Sequence, residues 1–232
     1  MKKTIVYSGT RNLYDNMAVC VNSALMNSGS DEIVLLIEDD AFPYDLGEKV
    51  RTINVSGQKY FREDGANYNC EWTYMMLMKC ALSKVFPKKD KVLVLDCDTL
   101  VEHDLTGLWD LDMTGYYYAA VPQTRTTYPF PYDRMPQDFV YINAGTLFCN
   151  LKELRKDKKD NEIIDAINTN KYRWVEQDCI SELCQGQILT LPSRYNQCDF
   201  TDTDHFATYI RHFAANKWWR NTVFAKGYEL NG

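Results

Sequence analysis

Four consecutive apolar residues, Val92, Leu93, Val94 and Leu95, run directly into Asp96-Cys97-Asp98. An apolar run of that length reads as a strand buried on both faces, which requires a sheet covered by helices on both sides. The end of the strand delivers two carboxylates, one residue apart, to the rim of the sheet, where ligands of open α/β sheets collect. Two hard oxygen donors so placed suit Mg²⁺ or Mn²⁺ held against a phosphate. The same acids would also serve a plain solvated turn, and short matches to this pattern are common. The rest of the chain has to decide between the two.

Around that strand the elements alternate. Residues 3–7 read as a first buried strand, and helical spacing follows through Met17, Val21, Ala24 and Leu25 until Asn27-Ser28-Gly29-Ser30 closes it. Residues 33–37 and 52–55 read as second and third strands, 57–69 as a loop, and 71–86 as a buried helix stopped by Pro87. Residues 116–121 and 140–151 predict two further strands, joined by a proline-rich loop over 122–138. Short helices are expected over 160–168 and 177–184, and short strands over 188–191 and 209–213. The expected fold class is α/β, with a mainly parallel central sheet flanked by helices.

At 232 residues and 45% hydrophobic, the chain suffices for a single domain with a large core. A net charge of −6, with acids and bases interspersed, argues against a nucleic-acid partner, which would need a basic face. Met1-Lys2-Lys3 imitates the start of a signal peptide, but Ser8-Gly9-Thr10-Arg11-Asn12 ends the apolar run too early. No stretch approaches membrane-spanning length. The eight cysteines form no Cys-x-x-Cys pair, and several lie in apolar runs, so reduced thiols and a cytoplasmic location are expected.

Several other residues could carry chemistry. His212, one of three histidines, ends a strand-like segment, and imidazole suits Mn²⁺, although such a histidine is more often simply hydrogen-bonded. Lys217, followed by Trp218 and Trp219, could neutralise a diphosphate, or the segment could be an amphipathic stretch covering the sheet. Lys79 interrupts an apolar helix and needs either an anion or a path to water along its own stem. Asn143-Ala144-Gly145 lies inside an apolar strand, where small residues admit a ligand and the amide could bond a sugar hydroxyl or satisfy a bulge. Glu176-Gln177-Asp178 precedes a short helix that its acids could cap. The aromatic runs at 116–118 and 128–132 could stack on a saccharide or make a peripheral contact with a membrane surface, though such runs more often pack the core.

Taken in this order, the pieces resemble glycosyltransferase family 8, whose members use nucleotide sugars on a GT-A fold and retain anomeric configuration. The resemblance is carried by Ile5-Val6-Tyr7-Ser8-Gly9-Thr10, Leu93 through Val101, Tyr141-Ile142-Asn143-Ala144-Gly145-Thr146-Leu147, Glu176-Gln177-Asp178 and Ile210-Arg211-His212-Phe213. It implies one catalytic domain over 1–232, with a nucleotide-binding half at 1–100 and a sugar and acceptor half at 101–232. It also implies that Asp96, Asp98 and His212 bind Mn²⁺, with Mg²⁺ as a substitute, and that the donor is a UDP-hexose, glucose or galactose favoured, with a saccharide or other hydroxyl acceptor. Ser8, Thr10 and Asn12 would then border the uracil and ribose. Lys79, Cys97, Asn143, Ala144, Gly145 and Lys217 would complete the nucleotide-sugar site, and Gln177 and Glu176 would be catalytic. The chain departs from the family pattern at Lys79, where arginine is common, at Glu176, where aspartate is usual, at Ala214 or Ala215 for glycine, and at Trp218 for proline. The His212-to-Lys217 spacing is also one residue short. A phosphatase of the haloacid dehalogenase type also ends a strand in Asp-x-Asp, but that motif normally lies near the amino terminus. A sugar-nucleotide-binding domain without activity is a third possibility.

Overall fold

The computed structural model describes residues 2–70, 72–124, 135–203, 206–217 and Trp219. Its frame is a seven-stranded sheet in the order β3-β2-β1-β4-β7-β6-β8. The strands are β1 (Thr4–Ser8), β2 (Glu32–Ile37), β3 (Val50–Asn54), β4 (Lys91–Leu95), β6 (Tyr118–Pro122), β7 (Ile142–Asn150) and β8 (Ile188–Thr190). Pairings among β3, β2, β1 and β4 are parallel, as is β6 with β8, while β7 runs antiparallel to both β4 and β6. The sheet is therefore mainly parallel with one reversed strand.

Side chains alternate across the sheet with period two, and each face has its own core. Val6, Val34, Leu36, Val92, Val94 and Leu147 point to one face, where Leu77, Ile163, Ile167 and Ile180 cover them. Ile5, Tyr7, Ile33, Leu35, Leu93 and Leu95 point to the other, against Met17, Val21 and Ala24 of α1 (Tyr14–Asn27). Burial on both faces is why β2 is apolar at every position after Glu32, while β7 is buried throughout although it carries Asn143, Thr146 and Asn150. Tyr117 and Tyr118 belong to this core and are no surface platform. Residues 128–132 and Trp218, together with most of the proline-rich loop, lie outside the described residues.

Three local departures from the sequence expectations shape the cleft. The helix expected over 71–86 is split into α2 (Tyr74–Leu77), a 3₁₀ turn (Met78–Ala81) and α3 (Leu82–Val85). The tightened turn is the one that carries Lys79, whose ammonium is tied into the cleft, and 3₁₀ winding inside a helix commonly accompanies such a functional constraint. The acids after β4 also do not simply end a strand. Asp96 O accepts hydrogen bonds from Thr99 N and Thr99 Oγ1, closing a turn that leads into β5 (Thr99–Val101). β5 then pairs antiparallel with β9 (Ile210–His212), setting Thr99 opposite His212. Short helices α4 (Thr106–Trp109) and α5 (Leu151–Lys156) were not expected; α6 (Lys159–Thr169) and α7 (Val175–Leu183) fall close to the expected spans.

An ion cluster closes the edge of the sheet opposite the cleft. Glu32, at the start of β2, accepts hydrogen bonds from Lys89 Nζ (2.7 Å), Arg51 Nε (2.8 Å) and Thr4 Oγ1 (3.0 Å). Burial alone would raise its pKa, but these donors outweigh burial and bring it from its ordinary 4.5 to about 2. The folded-state pKa is depressed, so the stabilisation is complete above about pH 4.5 and is lost as pH falls towards 2. After allowance for solvent screening it amounts to about 1–2 kcal/mol. Glu32→Gln should lower the unfolding free energy by that amount at pH 7, and denaturant melts repeated at falling pH should show variant and parent converging.

Candidate functional site

The register of β5 against β9 brings together residues far apart in sequence. Phe213 N donates to Asp98 O (2.9 Å), locking the acidic turn to the strand that bears His212. Ligand atoms of Asp96, Asp98 and His212 all lie within 4.8 Å of one another. His212 Nε2 is 3.3 Å from Asp98 Oδ1 and 3.9 Å from Asp96 Oδ2. Its other nitrogen, Nδ1, donates to Asn196 Oδ1 (2.9 Å), which aims Nε2 at the carboxylates, as metal-bound imidazoles are usually aimed. Burial opposes charge on this ring, but the Asp98 carboxylate prevails and pushes the imidazole pKa up to about 10. Asp98 is correspondingly held well below the usual carboxylate range despite its burial, by His212 and then Lys217.

Asn196 is itself fixed. Its Nδ2 donates to Asn143 Oδ1 (2.8 Å), which also accepts from Gly145 N (3.1 Å). Asn143 Oδ1 is thus committed to holding the histidine's partner. A Cβ built on Gly145 would lie 2.1 Å from His212 Cε1, so glycine is needed here because the imidazole packs directly on its backbone. This packed platform and its amide chain fit a divalent cation on three grounds: hard O,O,N donors, convergent geometry, and a buried Asp98 Oδ1 that faces His212 Nε2 and has no hydrogen bond among the described residues. Cys97, between the two acids, is no ligand: burial pushes its thiol up, and Sγ donates to Ser8 O (3.2 Å).

Two cations flank the carboxylates. Lys217 Nζ donates to Asp98 Oδ2 and lies 5.9 Å from the ring centroid of Trp219. Lys79 is buried and does not snorkel; its Nζ contacts Asp96 Oδ1 (2.5 Å), Glu176 Oε1 (2.9 Å) and Ala144 O (3.1 Å). An ammonium has three protons, and here each has an acceptor. Glu176 Oε2 is buried without a hydrogen-bond partner among the described residues, and burial raises the carboxyl pKa although Lys79 opposes the shift.

Gln177 is positioned from both ends of its amide. Oε1 accepts from Ala144 N (3.0 Å), and Nε2 donates to Tyr141 OH (3.0 Å), which in turn donates to Asp178 Oδ1 (2.5 Å). Asp178 Oδ2 caps the start of α7 by accepting from the backbone N–H groups of Arg173 and Trp174, so the expected cap comes from this acid. Val175, fully buried and β-branched, has φ of 39°, a strained left-handed conformation held by its packing immediately before Glu176 and Gln177.

The expected site residues all border one cleft with two lobes. A lobe of about 330 Å³ contains Ser8, Thr10, Asn12, Lys79 and Cys97. A second, of about 220 Å³, contains Asn143, Ala144, Gly145, Glu176, Gln177 and His212. Asp96, Asp98 and Lys217 border both, so the acidic cluster stands at their junction. Thr10 Oγ1 is bonded to Asn12 Oδ1 at the mouth of the larger lobe. Sequence reasoning missed Asn196, whose role depends wholly on tertiary contact, and Gln123, Trp72 and Trp174, which line the smaller lobe.

Comparison with known proteins gives the family and the fold. A profile described as glycosyl transferase family 8 matches residues 4–222. A putative glycosyltransferase of Haemophilus influenzae is 29% identical over 53% of this chain and 38% of its own length. A lipopolysaccharide 1,2-glucosyltransferase of Escherichia coli is 21% identical over 83% of this chain and 61% of its own. The chain therefore matches less than two thirds of the length of these curated relatives. A crystal structure of the galactosyltransferase LgtC with donor and acceptor sugar analogs superimposes with a TM-score of 0.72 at 21% identity, covering 97% of this chain and 92% of that one, which establishes the GT-A fold. The haloacid dehalogenase alternative is not favoured.

Gly145→Ala should displace His212 while leaving the sheet assembled. Manganese titration followed by electron paramagnetic resonance should show affinity lowered at least roughly tenfold, within the loss expected when a ligand's support is disturbed. The stability cost should stay near the 1–3 kcal/mol typical of overpacking, about what one extra methyl produces.

Proposed function

The chain belongs to glycosyl transferase family 8, and from that premise we propose that it transfers a hexose, glucose or galactose, from a UDP-sugar to a saccharide hydroxyl with retention of configuration, using Mn²⁺. The observation that carries this reading is the position of Asp96 and Asp98 at the junction of two lobes, with His212 beside them. A nucleoside diphosphate sugar has that layout: an anionic centre with a nucleoside on one side and a hexose on the other. Ser8, Thr10, Asn12 and Cys97 border the nucleoside lobe, in keeping with a nucleotide-binding half over 1–100. Asn143, Ala144, Gly145, Glu176 and Gln177 border the hexose lobe, in keeping with a sugar and acceptor half over 101–232.

The residues then divide the work. Bound at Asp96, Asp98 and His212, the cation would supply positive charge against the departing diphosphate. Lys217, beside Asp98, adds a second positive charge on the same side. Lys79, with all three protons engaged, contributes to the donor site by holding Asp96 and Glu176 in place. Glu176 Oε2, buried and without a hydrogen-bond partner among the described residues, offers an acceptor to a sugar hydroxyl.

Gln177 carries the chemistry nearest the anomeric carbon. A neutral amide is a poor nucleophile, and its Oε1 already accepts from Ala144 N, so a covalent glycosyl adduct is disfavoured. The amide dipole instead stabilises oxocarbenium character while the C1–O bond to the diphosphate breaks. The acceptor oxygen enters on the face the diphosphate leaves, forms the new C1–O bond, and gives its proton to the departing phosphate oxygen. That same-face exchange retains configuration.

Incubation with UDP-glucose or UDP-galactose and Mn²⁺ should release UDP, and Asp98→Ala or His212→Ala should abolish that release while the circular dichroism spectrum is preserved. Unchanged rates in either variant would refute the metal assignment. Gln177→Ala should slow transfer by roughly a hundredfold, the scale of one lost electrostatic contact in the transition state. Donor affinity measured by calorimetry should change far less, and equal losses in both would count against this placement.

A further inference from the structure

Two tryptophans line the hexose lobe, and the donor roles assigned above use neither of them. The ring centroids of Trp72 and Trp174 are 5.3 Å apart with planes inclined at 45°. Both are half-buried and border the lobe that holds Gln177. Trp174 is the residue immediately before α7: its carbonyl accepts from Gln177 N (3.0 Å) and its own N–H is tied to Asp178 Oδ2 (2.8 Å). The guanidinium of Arg173 lies 5.6 Å from the Trp174 ring centroid. The indole is thus fixed to the same helix start that places the catalytic amide. Trp72 is backed differently, its carbonyl accepting from Cys70 Sγ (2.7 Å).

We propose that Trp174, with Trp72 beside it, forms a stacking platform for the pyranose ring of the acceptor, so that the acceptor is a saccharide presenting an apolar C–H face. This inference rests on the transferase reading of the same cleft. Three features support it. Both indoles share the lobe that holds Gln177, so a ring seated on them lies on the side of the cleft where the donor hexose is placed. Indole faces are large, rigid and apolar, and they take the C–H face of a sugar at little entropic cost while hydroxyls stay free for polar neighbours such as Gln123. Finally, Trp174 borders only the hexose lobe whereas Trp72 borders both, which sets Trp174 on the side away from the nucleoside. A simple aliphatic alcohol has no ring to stack and would gain little from this surface.

The test uses the full chain with UDP and diamagnetic Mg²⁺ for NMR or Mn²⁺ for transfer assays, and methyl β-galactoside and methyl β-glucoside as probes. Saturation-transfer NMR should show the strongest transfer on ring C–H protons of at least one probe. That signal should fall roughly tenfold in Trp174→Ala and Trp174→Leu and survive in Trp174→Phe, because leucine keeps the apolar bulk but not the π face. In transfer assays the same variants should raise KM for the saccharide roughly tenfold, with KM for the UDP-sugar changing much less. Equal saturation in the parent and leucine variants, or a KM for saccharide that Trp174→Leu leaves unaltered, would overturn the platform. Absence of UDP release by the parent protein would instead overturn the transferase reading, while the NMR comparison would still decide whether the tryptophans bind a pyranose.

Discussion

Everything at the open end of the sheet depends on one buried ammonium. The cleft gathers three carboxylates, Asp96, Asp98 and Glu176, and like charges brought so close in a desolvated place would push the elements that carry them apart. Lys79 Nζ bonds two of them and the carbonyl of Ala144, linking the end of β4, the middle of β7 and the first turn of α7 through a single atom. Removing one member of such a buried pair commonly costs about 3–5 kcal/mol, since the charges left behind have no solvent to turn to. The helix around residue 79 has given up regular winding to let its lysine reach that point. Local geometry has yielded to electrostatics.

A second constraint lies above the first. The sheet delivers Asp96 and Asp98 but not their nitrogen partner, which arrives on a separate two-stranded ribbon whose register sets Thr99 against His212. Because side chains alternate along a strand, a slip of one residue would turn the imidazole to the far side. Several unrelated contacts hold the register: Phe213 N on Asp98 O, His212 N on Gln197 O, and the ring of His212 seated on the backbone of Gly145. The histidine is thus positioned by backbone hydrogen bonding and steric fit, whereas the carboxylates are gathered by charge.

The sheet was legible in the sequence because nearly every residue of its central strands is buried, and continuous apolar runs report that directly. The direction of β7 was not, since a strand covered by helices on both faces looks the same whether it runs parallel or antiparallel to its neighbours. Asp96 and Asp98 were visible as acids at a strand end; His212 gained meaning only from the resemblance, because a lone histidine carries no periodic signal. Asn196 left no trace, since its value lies in hydrogen bonds to Asn143 and His212 that exist only in three dimensions. The break at Met78–Ala81 was hidden for a related reason: helix propensity registers neighbours along the chain, and the force that tightens the turn comes from across the cleft. Trp174 reads in sequence as one more aromatic, and its placement follows from the cap at Asp178.

The ribbon of β5 and β9 also orders events during synthesis. Asp98 and Lys217 are 119 residues apart along the chain, and the partners of the acidic turn are among the later parts to be made. One face of β1, β2 and β4 is covered by Ile163, Ile167 and Ile180, so that core also waits for segments made well after the strands themselves. The imidazole and the second ammonium come later still, which makes the acidic turn one of the last places in the molecule to acquire its partners.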